Sequence, residues 1–100
     1  MVSFSLLSPG DISAALAARA RMRRLDWRLT LEGLARRSGV PLGTLKKFEH
    51  SGQISLVSFV RLAVALGDEA ALGGLLAAPG VATLDQVLET AERPKRGRIT

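Results

Sequence analysis

The fourteen Lys and Arg residues are the most abundant groups in this chain with chemistry to offer, and they are unevenly spread. Residues 19–61 hold ten of them against three acids, and residues 62–92 hold five acids and no base. Arg93, Lys95, Arg96 and Arg98 then add a basic tail. A basic block, an acidic block and a basic tail are the pattern of a polyanion-binding face set apart from another surface. Basic stretches that are merely solvated give the same count, so the positions of the bases have to decide.

Covalent chemistry finds little support. The absence of cysteine excludes disulfides and thiolate metal sites. The single His50 has no Ser or Asp at motif spacing and no second histidine with which to hold zinc. The carboxylates are scattered over expected helix ends. Gly73-Gly74 has neither the lysine nor the preceding strand of a phosphate-binding loop. We expect a protein that is not an enzyme and needs no cofactor or metal.

One hundred residues suffice for one core. With aromatics at 4%, Leu, Ala and Val must pack it, which favours an all-α fold over a sandwich or barrel. No basic start followed by an apolar run marks a signal peptide, and no stretch approaches the ~18 apolar residues of a membrane span. The expectation is a soluble, cytoplasmic, nucleoid-associated protein.

The elements that must position these groups can be placed from caps and periodicity. Ser8-Pro9-Gly10-Asp11 opens a first helix that runs to about residue 26, carrying Ile12, Leu16, Ala20, Arg23 and Trp27 in helical rhythm. Thr30 caps a second, Leu31–Ser38, with Glu32 in its first turn and Gly39 as the residue that turns the chain. Pro41 leads a third helix to about His50, where Ser51-Gly52-Gln53 breaks the pattern. Ser55 caps a fourth, whose Leu56, Phe59, Val60, Ala63 and Leu66 recur at helical spacing before Gly67. Asp68 is the expected cap of a fifth segment with Leu72, Leu75 and Leu76, which Gly73 and Gly74 weaken as a continuous helix. After Pro79-Gly80, the capping box Thr83-Leu84-Asp85-Gln86 opens a short helix to about Glu92, and Pro94 ends it. The domain reading is an N-terminal arm or short strand at 1–7, a helix-turn-helix domain at 8–78, a C-terminal helix at 79–93 and a basic, flexible tail at 94–100. Trp27 is expected in the core at the junction of the first two helices.

Within this order, residues 29–49 form two short helices around Gly39, with Leu34, Ala35, Val40, Leu45 and Phe48 of buried type. Ala35 lies where the helices would cross and Val40 where the corner must be filled. That is the plan of a helix-turn-helix, whose second helix enters the major groove. Residues 12–67 resemble the lambda-repressor-like (Cro/repressor, XRE-type) family. The likeness is carried by Leu34-Ala35, Ser38-Gly39-Val40, Thr44-Leu45, Phe48-Glu49 and the close Leu62-Ala63-Val64-Ala65-Leu66-Gly67.

The resemblance implies five helices and a double-stranded DNA-binding transcriptional regulator, a repressor. It also implies a structural pair between Arg24 and Glu49. It assigns base reading to Leu42, Gly43, Thr44, Lys46 and Lys47. Leu42 and Gly43 depart from the amide side chains common there: a leucine can touch a thymine methyl, glycine allows close backbone approach, and lysines can donate to guanine O6 or N7. Thr30, Leu31, Arg36, Arg37, His50 and Gln53 are the implied DNA-backbone contacts. A homodimer on a pseudo-palindromic operator is expected. Its interface could be the Leu72–Leu76 segment, the Thr83–Glu92 helix or the arm, and the tail could follow the minor groove or a partner's acidic surface.

More diffusely, the full chain is similar to the small DNA-binding antitoxins encoded beside HipA-type kinases, which implies a toxin-antitoxin module with a kinase partner. Leu31, Leu42 and Gly43, which make the would-be reading surface more apolar, leave open an alternative, a protein-interaction module with weak or nonspecific DNA binding whose acidic block and C-terminal helix could bind a partner.

Overall fold

The computed structural model describes residues 7–78. The arm up to residue 6, the expected Thr83–Glu92 helix and the basic tail lie outside the described residues. Within them the chain is all-helical and contains no strand: α1 Pro9–Asp26, α2 Leu31–Ser38, α3 Leu42–Ser51, α4 Leu56–Ala65 and α5 Glu69–Gly74. No helix among the described residues is long and apolar enough to cross a membrane.

Each of α1, α2 and α4 starts where a side-chain oxygen can replace the missing helical partners of the first amides. At α1 the exchange is reciprocal: the Asp11 amide donates to Ser8 Oγ at 3.1 Å and the Ser8 amide to Asp11 Oδ2 at 3.2 Å. Thr30 Oγ1 accepts from Gly33 at 2.9 Å and Ser55 Oγ from Ser58 at 3.2 Å. All three caps are extended, with ψ of 160°, 166° and 153°. Asp68 departs from expectation: at φ −97° and ψ 22° its backbone does not aim the carboxylate back at the first turn, and it makes no side-chain cap bond.

The ends of α2 and α3 repeat one device. Ser38 Oγ donates to the Leu34 carbonyl at 2.7 Å and accepts from the Val40 amide at 3.1 Å. Thirteen residues on, Ser51 Oγ donates to the Lys47 carbonyl at 2.7 Å and accepts from Gln53 at 3.2 Å. Between each pair of bonds sits a left-handed glycine, Gly39 at φ 74° and Gly52 at φ 77°. The hydroxyl takes up a terminal carbonyl and an amide beyond the turn, so both corners are closed by the same Ser-Gly dipeptide.

Residues up to Gly67 form one packed unit, and a second begins at Asp68. In the first, α3 packs on α1 and α2, and α4 packs on α2. Ala17, Leu34, Val40, Leu45, Phe48, Leu62 and Leu66 make the buried core, flanked by Leu16, Ala20, Leu29, Leu31, Ala35, Ile54, Phe59 and Ala65. Phe48 meets Phe59 edge to face, with ring centroids 5.9 Å apart. Arg23 Nη1 donates to the Leu66 carbonyl at 2.9 Å, joining α1 to the end of α4.

Two expectations are corrected. Trp27 stands at the junction after α1 but is 41% exposed. Its ring edge lies where a Cβ on Gly67 would be 3.3 Å away, and the Arg37 guanidinium is 5.1 Å from its centroid, so it bridges surface groups and fills no core space. On α4 the inward stripe is Phe59, Leu62, Ala63 and Leu66, whereas Leu56 and Val60 point outward. In the second unit α5 runs through Gly73 to Gly74, and Leu75 and Leu76 after it are exposed.

Candidate nucleic-acid interface

The candidate site is the outward side of α3. Leu45 and Phe48 anchor its inner side, each almost wholly buried. Helical spacing then sends Gly43, Lys46, Lys47 and His50 outward, and all four are exposed. Leu42 and Thr44 are half-buried at the first turn. A Cβ placed on Gly43 would meet nothing within 4 Å, so the helix backbone there is open to close approach by another molecule.

The angle of this helix is fixed from α1. Arg24, only 8% exposed, donates from Nε to Glu49 Oε2 at 2.8 Å and from Nη2 to Glu49 Oε1 at 3.0 Å. Its third bond runs from Nη1 to the Leu29 carbonyl at 2.9 Å, so one guanidinium ties the end of α3 to α1 and to the α1–α2 link. Such a two-pronged pair has geometric as well as energetic content, because a planar fork accepts one carboxylate orientation. Hydrogen bonding to Glu49 raises the Arg24 pKa above the ordinary arginine value, outweighing burial, which acts to lower it. A raised base contributes stability below its unfolded pKa and loses it only as pH climbs past the folded one. The pair's arginine therefore stays charged at every pH where a protein is normally handled. Arg21 reaches Glu49 only at 3.9 Å and is largely exposed.

Gly52, the C-cap three residues after Glu49, fixes the same end of α3. A Cβ there would lie 3.0 Å from the Ser13 carbonyl carbon and 3.1 Å from the Ala14 amide nitrogen, so α1 and the end of α3 touch backbone to backbone.

The groups proposed for backbone contact are more dispersed. Thr30 is exposed, and its Oγ accepts from Gly33, which leaves its hydroxyl proton to donate. Leu31 is half-buried and packs against the core, so only its amide is available at the α2 N-terminus, beside the exposed Glu32. Arg36 is exposed on α2, and Arg37 is held over Trp27. His50 and Gln53 are exposed on either side of the Gly52 corner. The sequence reading did not anticipate the Arg37–Trp27 contact. An arginine ten residues after a tryptophan carries no signal of it until α2 folds back past the end of α1.

Among the described residues no group of His, Asp or Glu is arranged to hold a metal ion, and no buried side-chain nitrogen or oxygen lacks a hydrogen-bond partner. Comparison of the chain with protein-family models, with curated proteins and with solved structures finds no match.

Proposed function

We propose that the chain is a sequence-specific double-stranded DNA-binding regulator, a repressor of the lambda-repressor-like class, and that α2 and α3 are its helix-turn-helix. The single observation that carries this reading is α3 itself. A short helix, locked to α1 at its C-terminal end by Arg24–Glu49 and, three residues on, by the Gly52 backbone contact, holds Gly43, Lys46 and Lys47 out in one direction. An isolated helix of this length would fray. One held rigidly by its neighbours can insert between the strands of a duplex without a large ordering cost. Lys46 and Lys47 supply cations for guanine edges and phosphates, and the bare backbone at Gly43 lets the first turn approach closely.

The interaction-only alternative draws on Leu31, Leu42 and Gly43; both leucines are half-buried and the exposed Gly43 adds no side chain, which leaves the outward face of α3 more cationic than apolar. The finer reading, an autoregulatory antitoxin that holds a HipA-type kinase on DNA, rests on the diffuse full-length resemblance. It is checked by whether such a kinase is encoded next to this chain and co-purifies with it.

Selection of bound duplexes from a random pool tests the central claim. A recovered pseudo-palindrome with half-sites about 34 Å apart, or a multiple of that, is the expected result. On the selected duplex Lys46→Ala should cost ~1–3 kcal/mol and on random duplex far less. Equal losses on both would make the protein a nonspecific polyanion binder, and no enrichment at all would remove the reading.

A further inference from the structure

We propose that the segment Val2–Leu6 folds back along α1 and fills the apolar groove where the start of α1, the end of α3 and the start of α4 meet. The proposal concerns this one packed unit and does not depend on nucleic-acid binding.

The groove has a volume of about 320 Å³. Leu16 walls it from α1, Leu56 and Phe59 from α4, and Ile54 from the link before α4, above the buried Phe48. Leu56 is 76% exposed while Leu16, Ile54 and Phe59 are half-buried, so one side of the groove is open. Among the described lining residues only Ser13 has a polar side chain, and none is charged. Water needs two or more polar partners to be held in such a space, and one hydroxyl does not provide them.

Three observations select the segment ahead of α1 as the occupant. The first is its point of entry. Leu7 and Ile12 flank the Ser8 capping box at the two positions of a hydrophobic staple, and both are half-buried. A staple turns the incoming chain back over the first turn, and Ile12 lies one turn before Leu16 on the same face of α1. The second is reach. Ser13 and Leu16 lie about 8 and 12 Å beyond Ser8 along the helix axis. An extended Val2–Leu6 spans about 17 Å, enough to run the length of the groove. The third is pattern. Val2, Phe4 and Leu6 alternate with Ser3 and Ser5, and none of the five ionises. In extended form the apolar side chains share one face, which suits the groove, while the hydroxyls and outward backbone groups keep their water.

Other occupants are less well served. A small ligand is oriented by a few convergent polar groups, and this groove offers one hydroxyl. The same segment of a second copy would have to bind from solution, whereas so short a tether presents the chain's own segment at millimolar effective concentration.

The chain has no cysteine, so an introduced pair is unambiguous. In the full chain, Leu56→Cys is combined in turn with Val2→Cys, Phe4→Cys and Leu6→Cys, which covers every register of the segment. A reference set joins the same three substitutions to Ala18→Cys, exposed on α1 and turned away from Leu16. Bridge formation in a glutathione redox buffer is followed by mass spectrometry. At least one Leu56 pair should close within a single chain about tenfold faster than its Ala18 counterpart, as expected of a held segment. Position 18 is nearer in sequence, so a free segment favours it, and the order should reverse in urea. Leu56 pairs that close no faster than the Ala18 pairs overturn the proposal. Bridges that form only between chains overturn it too, by assigning the groove to a second copy.

Discussion

Arg24 and Glu49 show how a few atoms govern the placement of a whole helix. Both side chains are only 10% exposed, so the carboxylate cannot exchange its partner freely for water. Removing it leaves a guanidinium with one remaining bond, to Leu29, and little solvent to replace the others. Glu49→Ala should therefore cost ~3 kcal/mol, which thermal unfolding would register as a clear fall in Tm, while the exposed Glu69→Ala should stay within ~1 kcal/mol. Equal effects would mean the pair is decorative. Spacing alone could not have found this contact, since the two residues lie on helices separated in sequence by another helix. The family resemblance pointed to it, and the fold brings the atoms together.

At the scale of the element, the caps were readable because they are local. Ser8, Thr30 and Ser55 each bond an amide three residues away, and the sequence contains both partners. Asp68 has the right side chain but not the extended backbone, which neighbouring structure decides. The glycines at 39 and 52 offer a sharper comparison. Their backbone conformations are nearly identical, but a Cβ at Gly39 would meet nothing while one at Gly52 would press on α1. Gly39→Ala should cost ~1 kcal/mol from the left-handed backbone alone. Gly52→Ala should cost several kcal/mol, since the atoms it meets are backbone and cannot rotate aside. Paired denaturant titrations measure the difference. If Gly52→Ala were no worse than Gly39→Ala, the close approach of α1 and α3 would be refuted.

For the molecule as a whole, the relevant quantity is how its cations are distributed over the surface. If Arg36 and its neighbours meet phosphates, duplex affinity must fall steeply with salt as counterions are released. Arg36→Ala should weaken selected and random duplexes alike and reduce the slope of log affinity against log salt by ~1. Fluorescence anisotropy across a salt series reads both. An Arg36→Ala slope equal to that of the wild type would remove Arg36 from the backbone-contacting set. Arg37 should contribute less than its charge suggests, because its guanidinium is engaged with Trp27.

The sequence by itself determined the helical class, the limits of α1 to α4 and the turns at Gly39, Gly52 and Gly67 to within a residue or so. Caps, left-handed glycines and apolar periodicity act over four residues or fewer, and all their participants are adjacent in the chain. It could not determine which side of α4 faces inward. That helix is apolar on both sides, so periodicity gives two answers, and the core chose Phe59, Leu62, Ala63 and Leu66 through packing against α2 and α3. Nor could it place Trp27 at the surface, tie Gly52 to α1, or show that Val57, Val60 and Val64 are the exposed side of α4. Each of these depends on which distant segments meet, and only tertiary packing decides that.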